Sequence, residues 1–439
     1  MTTVFLKSDV AAYTWDGTTL TTIIDADYPA TTVPGVAWIN GRIVVMEPDG
    51  TISHSDEDDF TSWNALNFVT AQVEPDGGVF LGRNSEYVVA MGTYTIEFFW
   101  DASNATGSIL SNVPNTVMMV GCVHAGSVQQ VESGMIWCAQ QRGLGGSTML
   151  GRFVAVLKNT TYERVSTPDI DKILTNSTMT NVGSGVVTIA GHEFYVLTLR
   201  DEDLTLAYDL REGTWAQWTL GTAGTTLTLT SPGFQVTQTG GMATANSTAH
   251  GKSDGDPITT SGSGVAGYNV TANITVVDAN TIKFPVAANT AASATGLVVA
   301  AHWTYGKFDI AGACKLGDQQ LVQLRLDGSV NYIDLSNISD LGAPIDALIR
   351  TPIFDGGTYK EKVQSDLTIV GNQVSSTALI RWSDDDYRTF NNYKRVDMNV
   401  QRPHTTRGGN FKKRSYDVRH ALLDGAVMFN ELDVEIKGK

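Results

Sequence analysis

Val186-Val187-Thr188-Ile189-Ala190-Gly191-His192-Glu193-Phe194-Tyr195-Val196-Leu197, followed by Leu204-Thr205-Leu206-Ala207-Tyr208-Asp209, is the stretch from which the fold is read. It spells a hairpin and then a third strand, each run four to eight residues long and rich in β-branched or aromatic side chains. The same spelling recurs in Val36-Ala37-Trp38-Ile39-Asn40-Gly41-Arg42-Ile43-Val44-Val45, followed after Asp49-Gly50 by Thr51-Ile52-Ser53-His54. A third copy runs from Ala313 through Gly317 to Val322, then after Asp327-Gly328 from Ser329 to Asp334. Similar units begin near residues 4, 79 and 134. A four-stranded sheet cannot bury both faces alone, so five or six units at roughly 40-residue spacing predict stacked propeller blades. A double-sheet sandwich is the alternative.

Working outward, the composition agrees with an all-β chain. It has 439 residues, 42% of them hydrophobic, which is enough to bury a core and excludes wholesale disorder. Charged residues are only 17%, and Thr, Ser, Asn and 43 Gly supply the polar surface. One helix is expected at Thr167-Pro168-Asp169-Ile170-Asp171-Lys172-Ile173-Leu174, with Thr167 as cap and Pro168 at the first helical position. No apolar run is long enough for a membrane-spanning helix, and the start MTTVFLKSDVAAYTWDG does not read as a signal peptide. Three cysteines, Cys122, Cys138 and Cys314, give neither a disulfide framework nor a metal pair. The net charge of −16 argues against a protein that wraps nucleic acid, whose affinity comes from neutralising phosphates.

Composition shifts at residues 221–303, which are rich in Gly, Thr, Ser and Ala. The expected organisation is therefore propeller blades over 1–220, an inserted Ig-like β-sandwich over 221–303, and the last part of the propeller over 304–352. A C-terminal β segment over 353–439 is expected to close or flank it. Residues 388–420 hold nine Lys or Arg against two Asp, the one basic region of an acidic chain.

Motifs that suggest chemistry have structural readings. Gly251-Lys252-Ser253-Asp254-Gly255 has the G-x-S-x-G spelling but lies among turn residues, without the strand and helix a nucleophile elbow needs. The seven histidines include no H-x-H or H-E-x-x-H pair. Asp56-Glu57-Asp58-Asp59, Asp201-Glu202-Asp203 and Asp384-Asp385-Asp386 fit no EF-type loop and read as solvated turns. Ser383-Asp384-Asp385-Asp386-Tyr387-Arg388-Thr389-Phe390 resembles the Asp-box turn, with Tyr387 where Gly is usual, and such turns fold hairpins. A glycan hydrolase needs two facing carboxyls, which a sequence cannot display.

Several stretches in order resemble the packaged-DNA stabilisation or tail-nozzle proteins of short-tailed bacteriophages. They are Ser55-Asp56 with Thr61-Ser62-Trp63 and Pro75-Asp76-Gly77; Thr95-Ile96-Glu97-Phe98-Phe99; Arg164-Val165-Ser166-Thr167; and Gly191-His192-Glu193-Phe194 with Gly213-Thr214-Trp215. Further along come Leu316-Gly317-Asp318 with Gly342-Ala343-Pro344-Ile345, and Trp382-Ser383-Asp384 with Gly409-Asn410-Phe411-Lys412-Lys413-Arg414. The insert, through Gly255-Asp256-Pro257-Ile258 and Gly267-Tyr268-Asn269, resembles a small β module of phage structural proteins.

The resemblance implies a structural protein of the virion, made in the host cytoplasm, without enzymatic activity or cofactor. It implies a propeller ring, usually a hexamer, that meets portal and adaptor proteins above and knob, needle or tailspike proteins below. Double-stranded DNA would be retained behind it and conducted through it without sequence-specific contact. Asp56, Glu57, Asp58, Asp59, Asp201, Glu202 and Asp203 are then candidate channel-lining acids. Arg407, Lys412, Lys413, Arg414 and Arg419 are candidate contacts to a neighbouring subunit or adaptor. A propeller glycan hydrolase or carbohydrate-binding tail protein is the alternative.

Overall fold

A computed structural model of the chain describes residues 3–71, 73, 74, 76–143, 149–224, 226–237, 241–287, 290, 298–325, 327–334 and 336–438. The chain divides into two compact units, Met1–Trp218 with Lys307–Ile333 and Thr219–Gly306 with Asp334–Lys439.

Among the described residues, the first unit holds six antiparallel sheets, here blades 1 to 6. Blade 1 holds Val4–Lys7, Ala12–Trp15 and Leu20–Thr22. Blade 2 holds Ala37–Ile39, Arg42–Met46, Thr51–Asp56 and Asp59–Thr70. Blade 3 holds Gly78–Asn84, Tyr87–Gly92, Ile96–Asp101 and Leu110–Asn112. Blade 4 begins with a split strand, Gly121–Cys122 and Gln129–Val131, and continues with Gly134–Arg142, Met149–Lys158 and Thr161–Arg164. Blade 5 holds Val182–Ile189, His192–Leu199, Leu204–Asp209 and Thr214–Gln217. Blade 6 holds Ile310–Leu316, Gln319–Leu324 and Val330–Tyr332.

Turn chemistry sets the hairpins. Asn40 and Gly41 both take positive φ, 45° and 77°, as a two-residue hairpin turn of the primed type requires. Alternation along each strand then feeds two cores at once. In Tyr87–Gly92, Val88 and Ala90 pack with Ala37, Ile39, Val44 and Met46 of blade 2. Val89 and Met91, pointing the other way, pack with Trp137, Ala139, Phe153 and Ala155 of blade 4. Ile136, Cys138, Val154 and Val156 face Tyr195, Leu197, Leu199 and Tyr208 of blade 5 in the same manner. Each buried Val, Leu, Ile or Phe contributes about 1.5–3 kcal/mol, so the inter-blade seams hold the unit together.

The expected helix forms as α1, Pro168–Asn176, between blades 4 and 5. Thr167 occupies the cap position, but its side chain makes no cap hydrogen bond. The other end is held by Arg152, whose guanidinium donates to the carbonyls of Leu174 (3.3 Å) and Ser177 (2.6 Å).

Two histidines of this unit, buried His54 and half-buried His124, are held neutral by burial. His54 Nε2 accepts from the Ile109 amide (3.3 Å) while Nδ1 faces the Ser55 carbonyl (2.9 Å), and desolvation lowers its pKa. His124 Nδ1 accepts from the Gly126 amide (2.9 Å), again with a pKa lowered chiefly by desolvation. The folded unit binds fewer protons at these sites than the unfolded chain does. Their stabilising effect is complete above the unfolded value of ~6.5 and is lost as pH falls through the lower folded values. The urea midpoint of this unit is therefore expected to fall between pH 7.5 and 5.5, a window above the carboxylate range. Equal midpoints would contradict this account.

The second unit contains two β modules. Strands of residues 219–307 build an eight-stranded arrangement in which Leu229, Ile258, Tyr268, Ile282, Phe284 and Val298 form the core. The C-terminal residues form two sheets. Ala347–Arg350, Ser415–His420, Thr377–Ser383 and Lys394–Asp397 make one, and His404–Phe411, Lys362–Gly371 and Phe429–Gly438 make the other. Leu367, Ile369, Ile380, Trp382 and Val418 fill the space between them.

Candidate interaction surfaces

The blades have two ends, set by which turns face which way. Turns between first and second strands and between third and fourth strands share one end. Asn40 Nδ2 reaches Asp101 Oδ2 (2.7 Å) and Asn84 Nδ2 reaches the Asn159 carbonyl (3.0 Å) there. Turns between second and third strands, and the crossovers between blades, share the other. Asp76 accepts from the Tyr94 and Thr95 amides, and Arg200 pairs with Asp309 (2.7 Å), at that end.

The two acidic runs lie at opposite ends. Glu57 and Asp58 turn between the third and fourth strands of blade 2, whereas Asp201, Glu202 and Asp203 join the second and third strands of blade 5. Asp56 is half-buried and accepts from Ser62 Oγ (2.7 Å), Glu57 pairs with Arg42 (3.0 Å), and Asp58 takes a positive φ of 55°. Asp59 is held below the usual carboxylate range by the Thr61 hydroxyl and amide. Asp201 is lowered likewise by the hydroxyls of Thr180 (2.7 Å) and Thr178 (2.8 Å). Glu202 accepts from the Thr178 amide (3.1 Å), and Asp203 pairs with Lys307 (2.9 Å). Part of the charge of both runs is thus engaged within the fold.

The basic segment is not one surface. Arg414 is 1% exposed, and its guanidinium donates to both oxygens of Asp384 (2.7 Å each), to Gln364 Oε1 (2.7 Å) and to the Gly408 carbonyl (2.7 Å). Trp382 and Phe411 cover it, with ring centroids at 5.0 and 4.4 Å. Arg419 is also largely buried and forms a two-bond pair with Asp346 (2.7 and 2.9 Å). Burial lowers its pKa, but the bonds to Asp346 together with the charges of Asp346 and Asp256 outweigh that and raise it. Arg414 and Arg419 thus correct the picture of five presented charges, because their partners come from distant strands that the sequence does not align with them. Arg407 and Lys412 are exposed, and half-buried Lys413 pairs with Asp386.

The remaining motifs serve the fold. In the Asp-box turn, Asp385 accepts from the Thr389 amide (2.8 Å) and hydroxyl (2.6 Å), and these bonds pull its pKa down to about 2. Positive φ falls on Asp386 and Tyr387, 62° and 65°. Ser253 and Asp254 of the G-x-S-x-G spelling lie in a turn between Met242–Asn246 and Pro257–Ser261, and Asp254 Oδ2 accepts from the Tyr393 amide (3.1 Å). A cluster the sequence did not suggest joins Ser376, His420 and Asp424. Ser376 Oγ lies 2.5 Å from Asp424 Oδ1 and 2.7 Å from His420 Nε2. The single hydroxyl proton goes to the carboxylate, so His420 donates to Ser376, the reverse of a general base. Among the described residues, no group of three or more His, Cys, Asp or Glu converges to hold a metal, and no helix is long and apolar enough to cross a membrane.

A family model described as "Bacteriophage P22 Gp10, beta-propeller" matches residues 1–252. No curated protein matches. Solved structures with a distant likeness include a chain of the mitotic checkpoint complex, at 8% identity over 75% of this chain and 83% of that one, with a TM-score of 0.34. The computationally designed Ika8 protein has 10% identity over 75% and 81%, with a TM-score of 0.30. BamB from Moraxella catarrhalis has 11% identity over 75% and 92%, with a TM-score of 0.27. The family match spans blades 1 to 5 and more than half of the residues. The chain therefore belongs to the phage-stabilisation family of the bacteriophage P22 Gp10 β-propeller, a family of phage structural proteins.

Proposed function

We propose that this protein is a nozzle of the phage tail, a ring, most simply a hexamer, that extends the channel of portal and adaptor. In this reading it retains packaged DNA and conducts it during ejection, in contact with knob, needle or tailspike proteins at its far side. Membership in the phage-stabilisation family carries the reading. The charge supports it. DNA bears one negative charge per ~1.7 Å of axis, so a wall rich in Lys and Arg would bind the genome rather than release it. The acids at residues 56–59 and 201–203 lie at the two ends of the blades and would line the conduit at separate levels. Screening over ~8 Å confines their effect to DNA that passes close by. Arg407, Lys412 and Lys413 are the charges left to meet a neighbouring subunit or acidic adaptor, where they would steer association.

Particles assembled without this protein are expected to package DNA and then lose it, making the genome sensitive to nuclease. Particles bearing Arg407→Glu with Lys412→Glu are expected to show the same leak, with the purified variant still folded. Full retention of DNA in particles lacking the protein would sink the nozzle reading.

A further inference from the structure

Among the described residues, the C-terminal sandwich has four edge strands: Ala347–Arg350 and Lys394–Asp397 in one sheet, His404–Phe411 and Phe429–Gly438 in the other. An edge leaves a row of backbone N–H and C=O groups unpaired, and proteins commonly guard it with charges or a bulge. Three of these edges are guarded in that way. Lys394–Asp397 carries Lys394, Arg395 and Asp397, and Phe429–Gly438 carries exposed Glu431, Asp433 and Glu435. His404–Phe411 has an irregular register and a positive φ of 61° at Arg407. Ala347–Arg350 is different. Leu348 and Ile349 are 48% and 47% exposed, and Ile345, Ile353 and Phe354 to either side are exposed as well. Its single charge, Arg350, is bonded to Asp417 of the neighbouring strand (2.7 and 2.9 Å).

The register fixes which backbone groups are free. Ala347 pairs with His420 and Ile349 with Val418, and the Thr351 amide continues the row by donating to the Tyr416 carbonyl (2.9 Å). Hydrogen-bonded residues alternate along an antiparallel ladder, so Ala347, Ile349 and Thr351 bond inward. The N–H and C=O groups of Leu348 and Arg350 therefore point out from the edge, and no described residue bonds them. Donor–acceptor pairs spaced two residues apart match another extended backbone. Every strand among the described residues already pairs within a sheet, so neither this chain nor a second copy has one to spare there. Charge narrows the choice further. Asp417 is 0% exposed and holds Arg381 (3.0 Å) as well as Arg350, one carboxylate for two guanidiniums. Arg350 keeps 44% of its side chain exposed, against the rings of Tyr387 and Phe390 (5.6 and 4.9 Å), and Arg and Tyr are the types that dominate interface energetics. The positive charge left over beside an apolar edge is complementary to a carboxylate. We propose that an extended segment of another virion protein adds as a fifth strand along Ala347–Arg350, apolar beside Leu348 and Ile349 and with an Asp or Glu beside Arg350. That the partner is a virion protein rests on the tail role given above; the chemistry of the edge does not.

Amide exchange reads the free donors directly. In the purified chain the amides of Leu348 and Arg350 are expected to exchange fast and that of Ile349 slowly. In particles, Leu348 and Arg350 are expected to slow by about a hundredfold or more. Equal exchange in the two states would refute the added strand. A photo-reactive residue in place of Leu348, with exposed Val277 of the insert as the control position, identifies the occupant in irradiated particles. The expected adduct, absent from the control, joins a different protein at a segment that holds Asp or Glu. An adduct within this chain, an adduct to a second copy, or no adduct would overturn the proposal. Arg350→Gln, added to the labelled chain, leaves Arg381 on Asp417. It is expected to lower the adduct yield about tenfold with an unchanged circular dichroism spectrum, and an undiminished yield would refute the carboxylate partner. The tail role fails separately: particles that retain DNA while Leu348 exchanges fast sink the edge alone, whereas absence of this chain from purified particles removes both.

Discussion

Arg414→Ala is expected to destabilise the C-terminal sandwich by about 3 kcal/mol, the lower end of the ~3–5 kcal/mol seen when one partner of a buried ion pair is removed. Arg414 is buried at 1% exposure, while the Asp384 side chain keeps 42%, so water can recover part of what that carboxylate loses. It cannot reach Gln364, 1% exposed, whose Oε1 would keep only Tyr416 Oη at 2.9 Å. The cavity beneath Trp382 and Phe411 adds to the loss. Arg414→Lys is expected to fall between, because an ammonium cannot hold both Asp384 oxygens in a fork. Urea unfolding followed by amide exchange at 377–383 and 404–411 would measure it. A loss under about 1 kcal/mol would mean that the pair does little for the fold.

Charge reversal across Lys412, Lys413 and Arg414 would therefore unfold the sandwich rather than report on docking. The informative reversals are at Arg407 and Lys412, whose side chains are exposed.

Trp137→Ala is expected to cost the first unit about 3–5 kcal/mol, the range for truncating a buried large aromatic. Trp137 is 0% exposed in the seam between blades 3 and 4, beside Met91, Phe98 and Phe153. Its Nε1 donates to the Gly121 carbonyl (3.2 Å), part of the split first strand of blade 4. Loss of the ring removes that tie and opens a void between two sheets that cannot move independently. Exchange protection is expected to fall first at Val89 and Ala139, with blade 1 little affected. A uniform loss across all six blades would show that the stack unfolds as one body rather than seam by seam.

Much of the fold was legible because its determinants are local. Asn40-Gly41 announced a hairpin through the positive φ that both residues tolerate, and the short strand runs at residues 186–197 and Leu204–Asp209 announced the sheet of blade 5. Pro168 and the aspartates after it marked the start of α1. The turn at Ser383–Phe390 was recognisable because the bonds of Ser383 and Asp385 that shape it close within a few residues.

Charge pairing was not legible. Asp384 and Arg414 are 30 residues apart and Asp346 and Arg419 are 73, so a basic run that looks like a surface in the sequence is partly core. The separation of the two acidic runs follows only from which strand of its blade each one ends. Period and turn chemistry act over a few residues and decide each strand; which strands become neighbours, and which faces find no neighbour, depends on how whole sheets pack.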